Sequence, residues 1–99
     1  MEEMTKQWDF FLEIWNSTPP KERICYETGR PLLGVPLSMY FHHVLPKHLY
    51  PQYKYCKWNV VLLTWLVHDQ VEVDIDKTPK VKALRDELLY KHQNGELQL

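Results

Sequence analysis

Apolar residues recur at Trp8, Phe11, Leu12 and Trp15, the i, i+3, i+4, i+7 spacing of one helical face, and Phe10 and Ile14 widen that face. The spacing predicts a helix from Thr5, read as its N-cap, to Asn16. Thr18-Pro19-Pro20 must stop it, because proline lacks an N–H and disfavours helix in the residue before it. Residues 21–36 show no period. Glu27-Thr28-Gly29 reads as a tight turn with Gly29 free to take positive φ, and Pro31 and Pro36 break up the remainder. Leu37 to Leu45, rich in Tyr, Phe and Val, reads as a strand ended by Pro46. Residues 46–58 read as a loop closed by Asn59, and Val60 to Leu63 as a short, fully buried strand. A helix is expected from Thr64, its N-cap, carrying His68 and Glu72 one turn apart on one face before fading at Asp74-Ile75-Asp76. Thr78-Pro79 reads as N-cap and first position of a last helix. Val81, Leu84, Leu88 and Leu89 form its apolar face, and Asn94-Gly95 stops it.

The order is helix, irregular segment, strand, loop, strand, helix, helix, an α+β pattern without internal repeats. At 99 residues it fits one domain. We divide it into an N-terminal helix (1–20), a core (21–76) and a C-terminal helix and tail (77–99). A domain this small has limited core, so its aromatics (13% of residues) must supply much of the burial. Trp8, Phe10, Phe11, Trp15, Trp58 and Trp65 are the candidates. No run approaches the roughly 20 apolar residues of a membrane span. The N-terminus MEEMTKQWDFF carries acids where a secretory leader carries lysines, so an intracellular chain is expected and no membrane partner. Cys25 and Cys56 belong to no C-x-x-C pair and, in a reducing compartment, read as free thiols.

Net charge is −1, which by itself argues against nucleic acid, but the distribution is uneven. Residues 21–58 hold Lys21, Arg23, Arg30, Lys47, Lys54 and Lys57 against only Glu22 and Glu27, while the segments on either side are acidic. A local basic surface of this kind is enough to hold a phosphate backbone, although ordinary charge scatter would look the same. Arg30, Lys47, His48, Lys54 and Lys57 are the candidate nucleic-acid contacts. Tyr50, Tyr53 and Tyr55 alternate with lysines there, which suits base stacking or equally a loop packed on its own tyrosines.

The candidate chemistry lies in the same stretch. His42 and His43 end the first strand, Asn59 follows His43 by sixteen residues, and His68 follows Asn59 by nine. Phosphodiester hydrolysis needs an activated water and relief of charge on phosphorus and the leaving oxygen. A neutral imidazole can take the proton from water, and a divalent cation can act as Lewis acid. Adjacent residues in an ideal strand face opposite ways, so the histidine pair can serve one site only where the strand ends or bends. Asn59, able to donate and accept at once, suits tying down the 46–58 loop, with direct contact to a metal as the lesser option. Glu72 reads as a metal ligand or a solvated helix carboxylate. His92, in the last turn of the final helix, suits the helix dipole and is assigned no chemistry.

These residues resemble the HNH endonucleases, also called ββα-metal or His-Me finger nucleases, whose pattern is a histidine pair, an asparagine about fifteen residues on and a further histidine about nine beyond. Here it reads His42-His43, Asn59, His68, with Pro46 and the run Asn59-Val60-Val61-Leu62-Leu63 in keeping. The resemblance covers Cys25 to Glu72, about half the chain. It implies a ββα-metal core flanked by the N- and C-terminal helices. It implies metal-dependent DNA cleavage, with His43 as general base, His42 and His68 as metal ligands, Asn59 orienting the loop, and Glu72 where some members carry another histidine. The cofactor would be one divalent ion, Mg²⁺ or a transition metal such as Mn²⁺, Ni²⁺ or Zn²⁺. Many members also carry two C-x-x-C knuckles around a structural zinc. Here those positions read Cys25-Tyr26-Glu27-Thr28 and Thr64-Trp65-Leu66-Val67, so that zinc is not expected, and packing by Trp65, Val67 and the N-terminal helix is expected in its place.

The resemblance further implies a small stand-alone enzyme of phage or mobile-element type, acting on DNA in the cytoplasm of a bacterium or phage-infected host. A homodimer would be needed for symmetric cleavage of both strands. Two other readings are open: a nucleic-acid-binding module on the same scaffold without chemistry, and a protein-interaction module.

Overall fold

The computed structural model describes the backbone of residues 2–99 and the side chains of residues 5–99. Among the described residues three helices surround one two-stranded antiparallel sheet, a small α+β domain. The order is α1 (Glu2–Ser17), β1 (Phe41–His43), β2 (Val60–Leu62), α2 (Trp65–Val73) and α3 (Pro79–Gln93), with single 3₁₀ turns between them.

Helix α1 starts earlier than its apolar period suggests, so Thr5 lies inside it and is not its N-cap. Its C-terminus is closed by Arg23, which donates from Nε and Nη2 to the Trp15 carbonyl (3.2 and 3.0 Å) and from Nε to the Thr18 carbonyl (3.0 Å), and which lies over the Trp15 ring. The following segment folds back at Glu27-Thr28-Gly29 as expected. Gly29 has φ +76°, and Cys25 and Leu32 donate backbone N–H bonds to Arg30 and Arg23.

The strand expected over 37–45 is shorter than its composition suggests. Ser38–Tyr40 forms a 3₁₀ turn, and only Phe41–His43 pairs with β2, with Phe41 opposite Leu62, His42 opposite Val61 and His43 opposite Val60. Propensity favoured a longer strand, but a ladder extends only where a partner continues. The Leu63 N–H still reaches the Tyr40 carbonyl at one end, and the Val44 N–H reaches the Asn59 carbonyl at the other. The strand β2 is half-buried along its length, and full burial comes only at Leu63, just beyond it.

Thr64 caps α2 as expected, accepting from the Val67 N–H. Thr78 stands at the N-cap of α3, but its hydroxyl turns back to donate to the Ile75 carbonyl (2.9 Å). The first turn of α3 is instead capped by Glu27, whose two carboxylate oxygens accept from the N–H groups of Lys80 (3.1 Å) and Val81 (3.0 Å). A carboxylate at a helix N-terminus satisfies unpaired donors and opposes the positive end of the dipole.

Burial follows three clusters. Phe11 and Trp15 of α1 pack with Leu32 and with Phe41 of β1, the rings of Phe11 and Phe41 stacking at 4.5 Å. Val44, Leu45, Tyr53 and Leu88 join the loop to α3. Cys25 packs with Leu63, Val67, Val71 and Val81. Trp58 (37% exposed) and Trp65 (61%) stay at the surface, contrary to their expected place in the core.

Candidate metal centre

The geometry starts from the alternation of β1. Phe41 and His43 face α1, with the His43 ring 5.8 Å from that of Phe11, whereas His42 faces α2 and stands 5.3 Å from the His68 ring. The two histidines still share a cleft of about 430 Å³. Residues of α1, β1, α2, α3 and the turn after β1 line it and none of β2 does, so it runs along the open edge of β1 where both faces are within reach. His48, Lys47, His68, Glu72 and Arg85 are its other titratable lining residues.

His42, His68 and Glu72 converge there, with one potential ligand atom from each lying within 4.8 Å of the others. His42 is 4% exposed, and its Nε2 is sealed from solvent without a hydrogen-bond partner. A buried unpaired ring nitrogen is costly and rare, and a cation held there would give it a partner. Burial, then the nearby positive charges of His68, Arg85 and His43, lower its pKa to about 3, so the ring is neutral and able to bind a cation at any physiological pH. His68 lies half-buried on α2, with its Nε2 4.0 Å from Glu72 Oε1. Donors around one ion at about 2.1 Å stand roughly 3–3.5 Å apart, so a modest swing of the exposed Glu72 side chain would complete the set. Two imidazoles and a carboxylate fit a divalent transition metal, and also Mg²⁺ if water fills the remaining positions.

His43 is held differently. Its Nε2 lies 2.8 Å from the Lys54 carbonyl, and a carbonyl can only accept, so Nε2 carries the proton and Nδ1 the lone pair. Nδ1 has no hydrogen-bond partner among the described residues. Burial pushes the His43 pKa below its ordinary value, the Lys54 carbonyl opposes this, and the charge of Lys47 adds to it.

Asn59 is fully buried and bridges the loop. Its Oδ1 accepts from the Leu45 N–H (2.8 Å), while Nδ2 donates to the carbonyls of Leu45 (3.1 Å) and Tyr53 (3.3 Å). It takes over where the β1–β2 ladder ends. By fixing Tyr53 it also fixes Lys54, whose carbonyl orients His43. Asn59 lies outside the cleft lining, and its hydrogen bonds run to the backbone of the loop that carries the Lys54 carbonyl.

No protein-family model, curated protein or solved structure matches this chain.

Of the five residues expected to meet nucleic acid, Lys47 and His48 line the cleft. Lys54 places its carbonyl on His43 and its ammonium over the Tyr55 ring. Lys57 pairs with Glu13 at 2.9 Å. Arg30 lines a separate hollow with Trp65 and Leu66. Arg85 is a cleft residue that sequence reasoning passed over. The signal was legible: Val81, Arg85 and Leu88 occupy one stripe of α3, and an arginine on a buried stripe is unusual.

The segment Cys25–Thr28 and the first turn of α2, Thr64–Val67, also meet in space. Burial raises the pKa of the Cys25 thiol, but hydrogen bonds from the Thr28 side chain and the Thr64, Thr28 and Glu27 backbones outweigh it and hold the thiol below its ordinary value. Val67 packs against the same sulfur-bearing residue. Cys25, Thr28, Thr64 and Val67 therefore form one cluster. The exposed Trp65 takes no part in this packing, and the aromatic face of α1 belongs to a different cluster, both against expectation. Among the described residues no helix is long and apolar enough to cross a membrane.

Proposed function

We propose that this chain is a metal-dependent endonuclease of the HNH type, hydrolysing phosphodiester bonds of DNA at the cleft on the edge of β1. The observation that carries the reading is the buried, unpaired His42 ring beside His68 and Glu72, next to a histidine whose tautomer is set for proton abstraction. The strand pair followed by α2 supplies the two-strand-and-helix order of a ββα-metal core, and the meeting of Cys25 and Thr28 with Thr64 and Val67 is what two facing knuckles would leave behind.

His42, His68 and Glu72 would hold the divalent ion, which when bound acts as a Lewis acid on the phosphate and the leaving oxygen. The remaining chemistry belongs to the chain. His43 Nδ1 takes a proton from water, the water oxygen bonds to phosphorus as the bond to the departing sugar oxygen breaks, and that oxygen takes a proton from solvent, giving a phosphomonoester and an alcohol. The Lys54 carbonyl stabilises the imidazolium formed, because Nε2–H becomes a stronger donor as the ring gains charge. Asn59 keeps that carbonyl in place. Lys47 and His48 offer donors to flanking phosphates.

Supercoiled-plasmid nicking tests this, comparing the wild type with His43→Ala in EDTA, Mg²⁺, Mn²⁺, Ni²⁺ and Zn²⁺. Metal-requiring nicking that the folded variant lacks supports the reading. Wild type that binds DNA in a salt-dependent way, yet cleaves no plasmid, branched or single-stranded substrate with any metal, would make it a binding module.

A further inference from the structure

The guanidinium of Arg85 is fixed but unused. It sits part-buried on the inner stripe of α3, and its Nε donates to the Val44 carbonyl at 3.0 Å, one residue beyond the histidine pair. That bond uses one of five guanidinium donors and pins the plane of the group. The four N–H bonds on its two terminal nitrogens have no partner among the described residues, and no described carboxylate forms an ion pair with it. Glu72 lines the same cleft but lies by His68. An arginine there solely to tie α3 to β1 would be expected to send its outer nitrogens into bulk water or to a surface acid. This one borders a cleft whose other titratable walls are four imidazoles (His42, His43, His48 and His68), Lys47 and one carboxylate.

We propose that Arg85 is the anion-binding residue of this cleft, offering its two terminal nitrogens to the oxygens of a nucleic-acid backbone phosphate on the His42 side, with Lys47 as a second cationic contact on the His43 side. The assignment rests on the cleft being a phosphodiester site and names what holds the phosphate there. The geometry suits it. A planar fork makes paired hydrogen bonds to two phosphate oxygens, which one ammonium cannot do. The field of Arg85 reaches His42 and that of Lys47 reaches His43, so the two cations bracket the histidine pair. Arg85 also repels any cation bound at His42. Its presence therefore weakens metal binding while strengthening phosphate binding, and this opposition separates an anion site from a structural tie.

The test measures binding of a labelled oligodeoxynucleotide in EDTA across a salt series, and Ni²⁺ binding separately, for wild type, Arg85→Gln and Arg85→Lys. Arg85→Gln is expected to lower DNA affinity about tenfold and to reduce the slope of log affinity against log salt by about one phosphate contact. It is also expected to bind Ni²⁺ several-fold more tightly. Arg85→Lys should restore the slope but leave affinity a few-fold below wild type. Unchanged DNA affinity and slope in Arg85→Gln would overturn the proposal. If that variant does not fold, Arg85→Lys decides, and wild-type affinity in it overturns the proposal. Wild type that binds Ni²⁺ but no DNA also overturns it. Wild type that binds DNA through Arg85 but binds no cation overturns the endonuclease reading and leaves Arg85 as an anion site.

Discussion

The imidazole of His43 donates from Nε2 to the backbone carbonyl of Lys54 across 2.8 Å, so one main-chain oxygen in the loop decides which ring nitrogen is basic. Removing the base while leaving the cation ligands untouched should reduce turnover by a factor of about 10²–10⁴. His43→Ala is therefore expected to keep wild-type metal affinity and lose activity through kcat and not KM. Single-turnover kinetics with calorimetric metal titration check this. A variant within threefold of wild type in kcat would rule out His43 as the base.

Metal should stabilise the fold through His42. A ligand that binds only the native state adds about 2.7 kcal/mol at a hundredfold excess over its Kd. Ni²⁺ or Zn²⁺ is expected to raise the wild-type Tm by several degrees and to leave His42→Ala and His68→Ala unmoved, with Glu72→Gln in between because that carboxylate is exposed. Equal shifts in all four proteins would place the ion elsewhere.

Acid should unfold the metal-free protein through the same histidine. The pKa of His42 is near 3 in the native state and 6.5 in an ordinary setting. Above pH 6.5 neither state binds the proton and the full stability is present. As pH falls from 6.5 towards 3 only the unfolded chain takes it up, and stability is lost throughout that window, up to roughly 4–5 kcal/mol. The lowered pKa of His43 acts in the same direction. Denaturant midpoints measured from pH 7 to pH 4 should fall steeply for wild type and clearly less for His42→Phe, and parallel curves would contradict the shift.

Truncating Asn59 strands buried backbone groups of Leu45 and Tyr53. Each uncompensated group costs about 1–3 kcal/mol, so Asn59→Ala should lose roughly 2–4 kcal/mol in urea denaturation. It should also lose activity at temperatures where it remains folded, since Lys54 is no longer held against His43. Full activity in the folded variant would deny Asn59 its positioning role.

Glu27 reaches across the fold to cap α3. Glu27→Ala is expected to cost about 1–2 kcal/mol, and Glu27→Gln part of that, because an amide oxygen still accepts but brings no charge to the dipole. Hydrogen exchange should show faster opening of the first turn of α3 in the alanine variant, and wild-type protection there would count against the cap.

Local signals in this chain are legible where one element decides its own state. Helical period and proline placed the end of α1. Thr64 and Pro79 placed the starts of α2 and α3, and Gly29 its turn, because capping, donor loss and positive φ are settled within a few residues. The composition of residues 37–45 could not set the length of β1, which depends on how far β2 runs beside it. Nor could it tell that Trp65 faces solvent while Phe11 stacks on Phe41, since burial belongs to the partner surface as much as to the side chain. The spacing of His42, His43, Asn59 and His68 marked the candidate residues. Only the tertiary structure decided that His42 lies sealed beside His68, that a carbonyl eleven residues away sets the tautomer of His43, and that Arg85 from the last helix lines the cleft. Such relations join atoms far apart in sequence, and chain folding brings them within the few ångströms over which hydrogen bonds and desolvation act.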